Sequence, residues 1–312
     1  MNIRRWFSSQ KQSKNGNGLF ATLEELIEMR RYTPYMYGFR QSKSFSCQIG
    51  DIRSAFKGRG VEFEEIRSYN FGDDVRDIDW RVTARKENPF TKVYSEERDH
   101  EIYVWIDLSA PMLFGSKKEL KSVSAAKIAA LLGWIALENK DRFGCVIFDG
   151  NDSHIFKAQN NRAQLMAIFK KIADSGKNVL QNSKQNELGL NKSLKMLKQN
   201  AKNKATVFML SDFTFINDEE RKHLAALSKT SNLFLINIFD ILEENPPKAG
   251  EYFVEYAGKR LIFNSSSNLY KHDYFAYFAA KRAELKDFCR KFGCKLIEFR
   301  TDKDIRKNLK FI

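Results

Sequence analysis

The sequence predicts an α/β protein: an open, mostly parallel, doubly wound sheet preceded by a small N-terminal β-containing segment. Three observations carry this. From His100 onward, short apolar runs rich in β-branched and aromatic residues alternate with helix-length stretches, the order that parallel strands and crossover helices produce. Hydrophobic residues are 43% and charged residues 29% of 312 positions. That is core material for one large or two modest domains, and it excludes collagen-like, coiled-coil and wholly disordered chains. Charge also changes sign along the chain. Residues 1–60 hold eleven basic and four acidic side chains, residues 61–100 seven and eleven, so +7 is followed by −4 and then by +11.

These steps suggest a disordered basic N-terminus over 1–20, a segment over 21–99, an α/β domain over 100–300 and a tail over 301–312. Residues 8–18 are Gly/Ser/Asn-rich and polar, a composition that cannot build a core. Thr22 with Glu25 forms a capping box ahead of Leu26, Ile27 and Met29, which starts a helix. Strands are expected at Ile102–Ile106, Phe143–Phe148, Thr206–Leu210, Leu233–Phe239 and Lys295–Phe299, with His154–Lys157 as an edge partner. Helices are expected at Lys118–Leu137, Arg162–Ala173, Glu187–Lys198, Asp218–Leu227 and Tyr270–Phe292. Tyr252–Glu255 and Arg260–Phe263, separated by Ala257-Gly258-Lys259, read as a hairpin.

The net charge of +14 invites nucleic acid or an anionic membrane face as partners, through encounter rather than through fold. Cys47, Cys145, Cys289 and Cys294 form no CxxC pair, so free thiols in a reducing compartment are expected. The N-terminus lacks the apolar run of a signal peptide, and the apolar stretch Val123–Leu137 is interrupted by Lys127 and too short to span a bilayer. The expected location is the cytoplasm, with peripheral attraction to the inner membrane. No phosphate loop, GxGxxG, GxSxG or HExxH occurs, and His100, His154, His223 and His272 have no ligand spacing. An enzyme is therefore the weaker class.

Two constellations remain. In the first, Asp73, Asp74, Asp77 and Asp79 interleave with Arg67, Arg76, Arg81 and Arg85. A knot of Arg–carboxylate bonds is expected there in preference to a hard-cation site, because the arginines compete for the same oxygens. In the second, Asp107 closes a strand with Ser109 two residues on, and Ser211-Asp212-Phe213 closes another. Both endings fall where open α/β sheets bind ligands. Asp107, Ser109 and Asp212 are hard oxygen donors suited to weak binding of Mg²⁺ or Mn²⁺; alternatively, Ser109 and Asp212 cap the helices that follow.

The stretch from Gly58 to Ser109 resembles the DUF58 family, bacterial proteins of unassigned function. The resemblance is carried by Gly60, Glu62, Phe63, Arg67, Tyr69, Gly72, Asp73, Asp74, Arg76, Ile78-Asp79-Trp80, Ala84-Arg85 and Glu97. It implies a von Willebrand factor A-like domain, whose metal ion-dependent adhesion site uses DxSxS, a Thr and an Asp. Asp107, Ser109 and Asp212 match three of those positions; Pro111 stands at the second Ser, and Asn186-Glu187 fall where the Thr belongs. Coordination would then lean on water. The resemblance further implies partnership with a MoxR-type AAA+ ATPase. The favoured expectation is a non-enzymatic adaptor or chaperone-like module acting on a protein client with that ATPase. The alternatives are a basic nucleic-acid-binding protein, for which no specific motif exists, and a metal-dependent hydrolase at the sheet rim.

Overall fold

Alternating apolar runs become the strands of one sheet in a computed structural model, which describes residues 18–35, 61–71, 73–86, 88–96, 100–181, 187–214, 217–256 and 259–305. Expectations about residues 1–17, Cys47, Gly60, Gly72, Glu97, Asn186 and residues 306–312 lie outside these positions. Contacts separate Ser46–Asp99 from a larger unit made of Met1–Phe45 and His100–Ile312.

In chain order, the larger unit begins with α1 (Leu23–Glu28) and a 3₁₀ turn (Met29–Tyr35). The smaller unit holds β1 (Val61–Ser68), α2 (Trp80–Thr83) and β2 (Phe90–Glu96). The larger unit resumes with β3 (Glu101–Asp107), α3 (Lys121–Glu138), β4 (Arg142–Phe148), β5 (Ser153–Gln159), α4 (Arg162–Gln181) and α5 (Glu187–Asn200). Then come β6 (Thr206–Ser211), α6 (Asp218–Ser228), β7 (Asn232–Phe239) and α7 (Ile241–Glu244). The hairpin β8 (Glu251–Tyr256) and β9 (Lys259–Asn264) precedes α8 (Asn268–Phe292) and β10 (Lys295–Arg300).

Six strands form the expected sheet in the order β10-β7-β6-β3-β4-β5, parallel except for β5, which runs against β4. Side chains alternate between its faces. Ile102, Val104 and Ile106 of β3 enter one core with α3 and α4, while Tyr103 and Trp105 enter the other with residues of α5, α6 and α8. Both faces are covered, which is why the strands read as nearly continuous apolar runs. From β3 the chain builds outward through β4 and β5, then returns to build β6, β7 and β10 on the other side. Reversal between β3 and β6 opens a crevice at their carboxyl ends.

Helix α3 is buried on nearly every side, as a helix apolar all round must be. The sheet covers one side, and residues 19–35 help cover the other. Leu26 and Met29 pack into the same core, and the Trp134 indole donates to the Leu26 carbonyl at 3.2 Å. The capping box at Thr22 forms as expected. Its Glu25 also approaches Lys127, at 3.6 Å, which Glu119 holds at 2.6 Å. Residues 21–35 thus belong with the α/β unit rather than with the signature segment they were grouped with. Helix α4 continues eight residues past the expected Ala173 because Ser175 and Val179 extend the buried stripe of Leu165, Ile168, Phe169 and Ile172. No helix among the described residues is long and apolar enough to cross a membrane.

In the smaller unit, β1 pairs antiparallel with β2, placing Glu62 opposite Ser95 and Phe63 opposite Tyr94. Among the described residues the expected knot is seen in part. Asp73 does bond Arg67, at 2.7 Å. Asp74, however, accepts from the backbone N–H of Arg76, and Asp79 from those of Arg81 and Val82, with Lys92 rather than an arginine as its ion-pair partner at 3.4 Å. These aspartates stand at the starts of a 3₁₀ turn (Val75–Asp77) and of α2, where their carboxylates take up orphan N–H groups. Arg76, Arg81, Arg85 and Trp80 are exposed, while Tyr69 is half-buried.

Close packing between β3 and β4 gives a direct test. A Cβ at Gly144 would lie 2.4 Å from Tyr103 Cε1, and the Tyr103 hydroxyl is held by the Ala158 N–H at 3.0 Å. Gly144→Ala is expected to lower urea-unfolding stability by about 1–3 kcal/mol through overpacking; an unchanged midpoint would contradict this.

Candidate functional site

Strands β3 and β6 are hydrogen-bonded neighbours, so parallel pairing brings Asp107 and Ser211-Asp212 to one rim. All are buried: Asp107 is 3% exposed, Ser109 1%, Ser211 4% and Asp212 9%. Asp107 Oδ1 accepts from the Ser109 N–H at 2.9 Å, and Oδ2 from the Ser211 hydroxyl at 2.7 Å. Asp212 Oδ1 accepts from the Thr214 N–H at 3.1 Å and its hydroxyl at 2.8 Å. Between them, Phe213 adopts a left-handed φ of 55°, an uncommon conformation for a bulky residue and one that marks local strain.

Two of the rim's defining residues escaped the sequence. Lys121, first residue of α3 and 2% exposed, places its Nζ 2.6 Å from Asp212 Oδ2 and 2.7 Å from Glu243 Oε1. Glu243 comes from the four-residue helix α7, whose Asp240–Glu243 capping box uses the other oxygen, Oε2, on the Asp240 N–H at 2.8 Å. Asp240 is fully buried and also accepts from Ser116 and from the Thr301 hydroxyl, tying the residue after β10 into the rim. An Asp-x-x-Glu immediately after an apolar strand was a legible capping signal. Nothing local in the sequence singled out Lys121.

Electrostatics follow from burial. Desolvation pulls the Lys121 ammonium toward neutrality, but Asp212 and Glu243 outweigh it and leave its pKa above the usual lysine range. Burial pushes the Asp107 carboxyl up to about 6; the Asp212 charge adds to this, and bonds from Ser109 and Ser211 oppose it.

The rim brings together Asp107, Ser109 and Asp212, as expected, but not as helix caps. Ser109 precedes a 3₁₀ turn (Ala110–Met112) containing Pro111 without a side-chain capping bond, and α6 is capped by Asn217. Their fit to the divalent ion implied by the resemblance is poor. One Asp212 oxygen is taken by an ammonium and the other by Thr214, while Pro111 has no hydroxyl to offer. No group of three or more His, Cys, Asp or Glu side chains suited to a metal occurs among the described residues. Of the histidines, His100 bonds Thr206 Oγ1 at 2.8 Å, at the amino ends of β3 and β6 rather than at the rim.

A cleft opens beside this rim, lined by Asp212, Phe213, Phe239 and Glu243 from the strand ends and α7, by Arg221 of α6, and by Tyr277, Phe278, Lys281 and Arg282 of α8. The Arg282 guanidinium lies 4.1 Å from the Phe239 ring centroid, a cation–π geometry.

Fold and rim together define an α/β protein with a buried carboxylate–ammonium network at its topological switch point. The chain belongs to the family described as "Protein of unknown function DUF58", matched over residues 65–284. It is 26% identical over 260 residues to uncharacterized proteins of Mycobacterium tuberculosis and Mycobacterium bovis, covering 82% of this chain and 79% of each relative. It is also similar to the crystal structure of conserved hypothetical protein BatB from Bacteroides thetaiotaomicron, with 13% identity, a TM-score of 0.39, and coverage of 68% of this chain and 95% of that one.

A raised carboxyl pKa sets the sign of one pH dependence. Asp107 holds its proton more tightly folded than unfolded, so its contribution favours the fold below about pH 4 and is withdrawn as pH rises through about 6. The displacement, from 3.8 to about 6, corresponds to roughly 3 kcal/mol. Asp107→Asn should therefore gain on the wild type by up to about that amount between pH 4 and pH 7.5 in urea unfolding. Parallel pH profiles would contradict it.

Proposed function

We propose that this chain is a non-enzymatic interaction module that works, as an adaptor or chaperone-like partner, with a MoxR-type AAA+ ATPase on a protein client. The resemblance supplies the ATPase. The observation that carries docking is the cleft at the carboxyl rim, where aromatic rings lie beside Arg221, Lys281 and Arg282. Tyr277 is 55% exposed and Phe275, on the same helix, 46%. Aromatic and arginine side chains of this kind anchor protein partners, and the basic groups favour a partner segment that carries acidic side chains. The rim's own carboxylates are engaged with Lys121, Ser211 and Thr214, which leaves recognition to the cleft. A cytoplasmic location, with the +14 charge drawing the protein toward anionic membrane faces, is consistent with this role.

Interferometry between this protein and the purified MoxR-type ATPase of the same organism tests the reading. Binding should weaken as salt rises. Lys281→Glu and Tyr277→Ala, both at exposed positions, should each weaken it about tenfold, or ~1.4 kcal/mol, while leaving thermal melting unchanged. No association, or association indifferent to both variants, would overturn the proposal.

A further inference from the structure

The resemblance implies a divalent ion held by Asp107, Ser109 and Asp212, and the structure sets the Lys121 ammonium against one of these, Asp212, with Glu243 on its other side. We propose that Lys121 is a built-in cation: between Asp212 and Glu243 it supplies the positive charge that a divalent ion would bring to these carboxylates, so the rim is held together without metal.

The geometry supports a replacement rather than an incidental ion pair. Lys121 Nζ is 2.6 Å from Asp212 Oδ2 and 2.7 Å from Glu243 Oε1, so two carboxylate oxygens from separate elements converge on one point. Those distances lie at the upper limit of the Ca²⁺–oxygen range of about 2.3–2.6 Å and well outside the Mg²⁺ range of about 2.0–2.1 Å. An ammonium therefore fits with no movement, whereas Mg²⁺ would need a contraction of about half an ångström or more. Lys121 is 2% exposed, and its Nζ lies 5.8 Å from the Phe114 ring centroid, which leaves little space for the water shell Mg²⁺ keeps. The lysine is also supplied at no cost in loop order. It is the first residue of a helix buried nearly throughout, so its backbone is fixed by packing that has nothing to do with the rim. The remaining oxygen ligands of a metal site are committed elsewhere: both Asp107 oxygens accept hydrogen bonds, from the Ser109 N–H and the Ser211 hydroxyl. This assignment stands whether or not the neighbouring cleft docks a partner.

Mn²⁺, followed by electron paramagnetic resonance of the free ion, is the probe, with Ca²⁺ as competitor. The full-length wild type should bind no Mn²⁺ at about 1 mM, a ceiling of ~4 kcal/mol, and its melting temperature should not respond to EDTA or Ca²⁺. Lys121→Ala vacates the point between the carboxylates and should bind Mn²⁺ at least about tenfold more tightly than the wild type, displaceable by Ca²⁺. Lys121→Ala/Asp212→Asn should lose that gain, and Lys121→Arg, which keeps the charge, should not show it. If Lys121→Ala folds only when Ca²⁺ is supplied, the ion is performing the lysine's task and the proposal is supported. Wild-type Mn²⁺ binding that disappears in Asp212→Asn would overturn it, and this arm requires no lysine variant to fold. A folded Lys121→Ala that binds no better than the wild type would overturn it as well.

Discussion

A single buried ammonium organises the carboxyl end of this sheet. Lys121 joins the start of α3, the end of β6 and the short helix α7 through two charge-assisted bonds. Burying an ion is costly, and the attraction offsets that cost only when geometry is good and the other lone pairs are also satisfied. Both conditions hold here. The second oxygen of Asp212 serves Thr214, and the second oxygen of Glu243 serves the N–H of Asp240. Such a network is cooperative: removing one member strands a charge in low dielectric, which costs far more than an exposed pair ever contributes.

The network exists because of topology. Asp107 and Ser211 are far apart in sequence and become neighbours only because β3 and β6 pair in parallel. Glu243 joins them because β7 lies beside β6, so the helix that follows β7 starts at the same rim. Asp240, capping that helix, then accepts from Thr301, beyond the last strand. The rim thus collects residues from four strand ends of one sheet, each delivered by a backbone that packing has already fixed.

What was legible in the sequence follows from range. Period-two and helical patterns are set by burial of each element's own face, so the strands from Ile102 to Phe299 and their helices could be read locally. The polar endings Asp107-Leu-Ser109 and Ser211-Asp212 were legible too, because a polar group that closes an apolar run needs a partner. Lys121 was not. A lysine opening an apolar helix looks like any solvated first-turn residue, and its value depends on Asp212 and Glu243, 91 and 122 positions away. The signature segment was legible only in part. Its alternating charges suggested Arg–Asp bonds, of which Asp73 makes one with Arg67, while Asp74 and Asp79 also accept from backbone N–H groups two and three residues on. For short acidic side chains the nearest donor usually wins, since it requires no further chain to be ordered.

The proposed recognition rests on a division between groups that are saturated from within and groups that are not. Carboxylates that are buried and saturated from within have little left to offer a partner, and they serve instead to hold the strand ends rigid. Groups with surface still to bury lie one layer out, along α8, where half-exposed Tyr277 lines the cleft with Lys281 and Arg282 and Phe275 is half-exposed on the same helix. Arg282 is already stacked on Phe239 and placed 3.6 Å from Glu244, so part of its conformational freedom is lost before any partner arrives. A preorganised guanidinium beside exposed rings lowers the ordering cost of association. On the proposed reading the buried cation and the cleft are two layers of one device: the ammonium fixes the rim, and the fixed rim presents the aromatic and basic groups in a constant arrangement.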